Sequence, residues 1–221
     1  MIRPFEVDPE VIARIRPMRR DDLEHVARLH HAAMGRSLWA RLGTRFLARI
    51  YEALLEHPTF LGAVYLEDGR IRGFIAGSED TGAMLRDGLR GHGPRLALSA
   101  ARGLVGDPRA LRPLLETFAY SARSGDDVKA ESLFCSFEPD LRGKRVSGHI
   151  NKVLFDELRA RGHSRVKVTT EVDNEGARRQ LESWGFVDEG RFRFYGKDMI
   201  RYVLDLANSP RVQATRRWGA A

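Results

Sequence analysis

The chain has 221 residues, 43% hydrophobic and 30% charged, which is the balance of an ordinary globular protein able to bury a core without staples. No run approaches the roughly 18 apolar residues of a membrane span, and Cys135, the one cysteine, excludes an internal disulfide and a cysteine metal cluster. The net charge of +7 fits either a solvated arginine-rich surface or attraction of an anionic ligand, a nucleotide cofactor or nucleic acid.

Residues 1–12 read as a leader expected to be poorly ordered. Its acids and proline stand where a signal peptide would have an apolar core, so a cytoplasmic location is expected. Arg16, Pro17 and Met18 suit a short first strand. Asp21 or Asp22 can cap a following helix whose apolar face is Leu23, Val26 and Leu29. Phe46, Leu47, Ile50, Ala53 and Leu54 recur at helical spacing, and His57-Pro58 ends that helix. Two β-rich runs then flank Asp68-Gly69, a two-residue hairpin signal. Residues 80–128 carry many glycines between helical pieces and predict a mostly helical insertion, serving as a lid, a homodimer contact or packing.

From Glu131 the pattern is regular. ESLFCSF predicts a short buried strand. Val146, Ile150, Val153, Leu154 and Leu158 make one helical stripe ending near Gly162. SRVKVTTEV alternates as a strand. Asp173 or Asn174 caps a helix carrying Ala177, Leu181 and Trp184, which stops at Gly185. FVDEGRFRFYG and DMIRYVLDL predict two closing antiparallel strands. Residues 208–221 read as a frayed basic tail.

Strand, glycine-bearing turn, helix and strand in that order predict parallel neighbours. The turn itself is PDLRGKRVSGHI. A tight turn into a helix points backbone N–H groups outward, and the helix dipole adds partial positive charge, so the place suits an anion. Gly143 and Gly148 allow close backbone approach, Ser147 is a candidate cap, and Arg142, Lys144 and Arg145 bring full charges. A helix start with a solvated basic rim would look the same at this turn alone.

Taken with Asn174-Glu-Gly-Ala177 and Trp184-Gly185-Phe186, the turn resembles the GNAT superfamily of N-acetyltransferases, whose core has an R/Q-x-x-G-x-G/A turn followed by N-x-x-A and a short helix ending in G-F. The element order from Arg16 to Leu206 fits as well. The resemblance implies an α/β (α+β) fold: a mixed, mostly antiparallel sheet with one splayed parallel strand pair, flanked by helices, as a single domain over 13–207 with the helical insertion at 80–128. It implies acetyl-CoA as co-substrate and direct acetyl transfer to an amine. The pantetheine arm would lie along Ser136 and Phe137. The pyrophosphate would rest on Arg142, Gly143, Lys144, Arg145, Val146, Ser147 and Gly148, and Asn174 would contact the arm. Two positions depart from the family pattern. Arg145 stands at the first motif glycine, where a left-handed backbone disfavours a side chain, so a reshaped turn is expected. Leu181 stands where many members place a tyrosine acid.

Relatives carry a base carboxylate where Glu131 starts its strand, which makes Glu131 the candidate general base, and Glu138 is a weaker one. Tyr195 and Tyr120 are candidate substitute acids. Cys135 reads as a buried inert thiol, and His30, His31 and His149 as surface residues. No metal ligand set is expected. The acceptor is a small-molecule or peptide amine. Acyl-CoA binding or protein interaction without catalysis is a second reading. Acetylation of a tRNA-linked or ribosomal substrate is a third.

Overall fold

A computed structural model describes residues 2–35, 37–110, 127–194 and 196–218. Its centre is a seven-stranded sheet: β1 (Ile15–Pro17), β2 (Phe60–Glu67), β3 (Arg70–Ser78), β4 (Glu131–Phe137), β5 (Arg165–Glu171), β6 (Val187–Phe194) and β7 (Lys197–Asp205). The spatial order is β1-β2-β3-β4-β5-β7-β6. Every neighbouring pair is antiparallel except β4 and β5. The expected mixed sheet with one parallel pair is present.

Helices cover both faces: α1 (Pro9–Ala13), α2 (Leu23–Ala33), α3 (Leu38–Arg41), α4 (Thr44–Leu55), α5 (Thr81–Gly106), α6 (Val146–Ala160) and α7 (Glu175–Trp184). Because both faces are covered, β2 and β3 read as apolar runs rather than as alternating strands. Phe60, Val64, Phe74 and Ala76 turn toward the core formed with α2, α4 and α5. Leu61, Ala63, Tyr65 and Ile75 turn toward the second core, beneath α6 and α7. Among the described residues, no helix is long and apolar enough to cross a membrane.

Several local expectations hold. The β2–β3 hairpin turns at Asp68 and Gly69, both with positive φ, the geometry of a type I′ turn. Asn174 caps α7, its Oδ1 accepting the Ala177 N–H at 3.1 Å, and Gly185 ends the helix at φ 93°. Asp22 precedes α2, but its carboxylate points backward, accepting from Arg19 N–H at 2.7 Å and from both Arg16 guanidinium nitrogens. The insertion is helical over Thr81–Gly106 as one continuous helix through Pro94. Met84, Leu96 and Ala100, buried in the core with α4, hold it there. Residues 111–126, with Tyr120, lie outside the described residues.

The two termini differ from expectation over their described parts. The segment read as a leader contains α1, and the segment read as a frayed tail runs along α6. Buried polar groups on the outer face of α6 explain the tail. Asp156 accepts from Gln213 N–H at 2.8 Å, Lys152 donates to the Arg211 carbonyl at 2.9 Å, and Glu157 accepts from the N–H groups of Arg217 and Trp218. Polar side chains taken out of water need such partners, and the tail backbone supplies them.

Candidate active site

β4 and β5 pair at one point only, Glu131 opposite Lys167, with Lys167 N–H donating to the Ala130 carbonyl. Beyond it the two strands separate. The side of β4 that faces β5 is therefore an edge inside the sheet, open to an extended ligand that pairs with backbone. On its other side β4 stays paired with β3, except that Gly77 opposes Ser132 while Ala76 opposes Phe134. Leu133 is the extra residue of a β-bulge. A bulge leaves a residue out of the ladder and re-aims the strand, here two residues past the closed end of the splay. Nothing in ESLFCSF signals a bulge, because a bulged strand keeps its apolar composition.

The glycine-bearing basic turn sits at the other end of β4. A short 3-10 turn, Pro139–Leu141, leads through Gly143 at φ 84° and Arg145 at φ 59° into α6. The sequence disfavoured a left-handed arginine, yet Arg145 takes that backbone and keeps the tight turn. Its guanidinium lies over the Phe5 ring at 5.6 Å and 3.4 Å from Glu6. Ser147 is not the cap: the N-cap is Arg145, and no side chain caps α6. The Ser147 carbonyl instead accepts from Asn151 Nδ2 at 2.7 Å. The amides of Val146, Ser147 and Gly148 thus begin a fifteen-residue helix without a capping oxygen, which is how a helix start receives an anion. Arg142 and Lys144 are exposed beside them, while Val146 is buried as an anchor.

The remaining residues singled out in the sequence are placed as follows. Ser136 is buried and its hydroxyl donates to the Leu29 carbonyl at 3.4 Å, while Phe137 lies against Gly73. These neighbours on β4 face opposite sides of the sheet and fix the strand along the splay. Glu131 is buried at the closed end, its Oε2 3.7 Å from Lys167 Nζ. Glu138 is drawn away from the splay by Arg72, whose guanidinium bridges Glu138, Glu67 and Asp140, so it serves the network around Arg72. Tyr195 lies outside the described residues. Leu181 is buried core. Burial pushes the Cys135 thiol up to about 12, which makes it a poor nucleophile.

Two histidines read as surface residues are buried. His149 donates through Nδ1 to the Arg145 carbonyl and accepts Asp8 N–H at Nε2, both at 2.9 Å, so its hydrogen sits on Nδ1. His30 has Nδ1 2.8 Å from the Tyr51 hydroxyl and its ring 4.7 Å from Phe134, just past the bulge. Burial lowers its pKa to about 4. The signal was in the helix itself: His30 completes the stripe of Leu23, Val26 and Ala27 at i, i+3, i+4, i+7, whereas His31 falls off it. Among the described residues, no group of three His, Cys, Asp or Glu side chains could hold a metal ion.

This architecture recurs in solved structures. A protein from Desulfovibrio desulfuricans described as an acetyltransferase of the GNAT family superposes with a TM-score of 0.58 over 87% of this chain and 98% of its own, at 12% identity. The fold is that of the GNAT acetyltransferases. A Salmonella typhimurium protein described as an acetyltransferase, solved with its cofactor acetyl-CoA, gives a TM-score of 0.54 over 88% of this chain and 94% of its own, at 16% identity. By sequence, a mycothiol acetyltransferase of Brachybacterium faecium is 35% identical over 65 residues, 29% of this chain. The match spans about a fifth (20%) of that relative's length. No family model matches the sequence.

Proposed function

We propose that this GNAT-fold chain is an N-acetyltransferase that uses acetyl-CoA. The observation that carries the proposal is the pairing of an uncapped basic helix start with an open strand edge on the same β4. The turn suits a pyrophosphate, and the edge suits an extended amide-bearing arm. The amides of Val146, Ser147 and Gly148, with Arg142, Lys144 and Arg145, would hold the phosphates. The backbone at Ser136 and Phe137 would pair with the pantetheine amides, and Asn174, whose oxygen is committed to Ala177, would offer its amide nitrogen. When bound, acetyl-CoA supplies an activated thioester carbonyl. The acceptor nitrogen forms the new C–N bond as the C–S bond breaks and the thiol leaves.

Under this proposal Glu131 takes the amine proton, directly or through water. Lys167 fixes the carboxylate two residues from the bulge at Leu133. Leu181 cannot donate a proton, so the leaving thiolate takes one from solvent or from Tyr195. The acceptor belongs to the amine class, as in the acetyltransferases of the same fold, and small-molecule and peptide amines are both candidates. Thiol release from acetyl-CoA, measured over a panel of amines, peptides and amino sugars, tests the proposal. Release that needs one acceptor class and falls about five- to thirtyfold in Arg142→Ala at limiting cofactor supports it. Cofactor binding with no turnover on any acceptor would leave a binding module instead.

A further inference from the structure

The segment before α1 crosses the start of α6, beside the basic turn, and Phe5 is its anchor. The Phe5 ring stacks on Trp184 with 5.2 Å between centroids and meets the His149 ring edge-on at 5.0 Å. It also lies against Gly148, where a Cβ would stand 2.9 Å from its Cε2 and Cζ. The close approach that Gly148 allows is thus used by Phe5. Behind Phe5, Ile2 packs on Gly185, and the Arg3 carbonyl accepts from Arg211 Nε at 3.0 Å. Ahead of it, Asp8 is fixed as the cap of α1, its Oδ1 accepting the Glu10 N–H at 2.9 Å.

From Asp8 an unbroken chain of hydrogen bonds reaches the turn. Asp8 N–H donates to His149 Nε2, and His149 Nδ1 donates to the Arg145 carbonyl, both at 2.9 Å. The His149 backbone N–H reaches the same carbonyl only at 3.3 Å, so the buried imidazole holds it more closely. Arg145 is the left-handed residue on which the tight entry into α6 depends. A residue with a Cβ keeps that backbone only where its surroundings hold it. In a trans peptide the carbonyl and the following N–H point opposite ways in one plane. Gripping the Arg145 carbonyl from inside therefore aims the Val146 N–H outward.

We propose that His149, held by Phe5 and Asp8, is a positioning residue for the cofactor: it fixes the Arg145–Val146 peptide so that the Val146 N–H faces the phosphates. This rests on the reading of the turn as the phosphate site. Affinity for CoA then depends on residues of the N-terminal segment that hold no phosphate themselves. Without its support the turn keeps the binding geometry for only part of the time, and the affinity falls by that fraction. Glu6, 3.4 Å from Arg145, is exposed and adds little.

The test titrates CoA into the full chain and its variants by calorimetry, with circular dichroism to show that each is folded. His149→Phe keeps a ring against Phe5 and removes both hydrogen bonds. Phe5→Ala removes the anchor and, at a half-buried residue, gives the same reading should the buried-site variant fail to fold. Each should weaken CoA binding by about five- to thirtyfold, the preference of a side-chain-bearing residue against the left-handed backbone. In an Arg145→Gly background each loss should shrink to about twofold or less, because glycine takes that backbone unaided. A general loosening of the fold would persist in that background. No loss with Arg145 present, or an equal loss with glycine, would overturn the proposal. Arg142→Ala separates the two readings. Weaker CoA binding in Arg142→Ala with none in His149→Phe and Phe5→Ala removes the positioning role alone, whereas unchanged binding in Arg142→Ala removes the phosphate turn with it.

Discussion

Arg145 shows how a single residue can run against its local preference and still be informative. A left-handed backbone costs a residue with a Cβ about 1–2 kcal/mol, and the ion pair with Glu6 is exposed and weak. Arg145→Gly should therefore stabilise the fold by about 0.5–1 kcal/mol in urea unfolding, while weakening CoA binding through loss of one charge. Arg142→Ala should weaken CoA binding by about 1–2 kcal/mol in calorimetric titration, with the fold unchanged. Unaltered affinity would place the phosphates elsewhere. Glu131 needs two variants, because removing one partner of a buried pair costs about 3–5 kcal/mol on its own. Glu131→Gln should lower both stability and turnover. Glu131→Gln/Lys167→Met should regain stability while turnover stays low. Turnover recovering with stability would make Glu131 structural.

At the scale of elements, His30 gives the packing of α2 against β4 a pH dependence. Its folded pKa, lowered by burial to about 4, lies below the ordinary 6.5. The unfolded chain therefore binds the proton more readily between those values. Stability is fully present above about pH 6.5 and is lost as the pH falls toward 4, by an amount on the order of 3 kcal/mol. Denaturant unfolding across that range should show the slope, and His30→Leu should flatten it. A wild-type slope no steeper than the variant's would mean that His30 is not the titrating group.

Much of this was legible because helices announce themselves by period and caps: the α6 stripe from Val146 to Leu158, the Asn174 cap, the Gly185 stop and the Asp68-Gly69 turn. The burial of His30 and His149 was legible in the same spacing, on the stripes of Leu23 and Val146, but was passed over for their polarity; the bulge at Leu133 and the docking of 209–218 on α6 were not legible. Each depends on what a residue meets across the fold. Asp156 and Glu157 look like an ordinary solvated helix face until the tail amides arrive.

For the whole molecule, one mixed sheet separates two cores and splits between β4 and β5, and the basic turn into α6 lies at the end of β4, the strand that borders the split. Fold likeness to GNAT acetyltransferases brings an expected cofactor but no acceptor. The most direct test is a crystal structure of the chain with CoA. The pyrophosphate should rest on the amides of Val146, Ser147 and Gly148, with the pantetheine arm paired to β4 between Leu133 and Phe137. CoA bound away from the split, or the split closed in the presence of saturating CoA, would contradict the assignment.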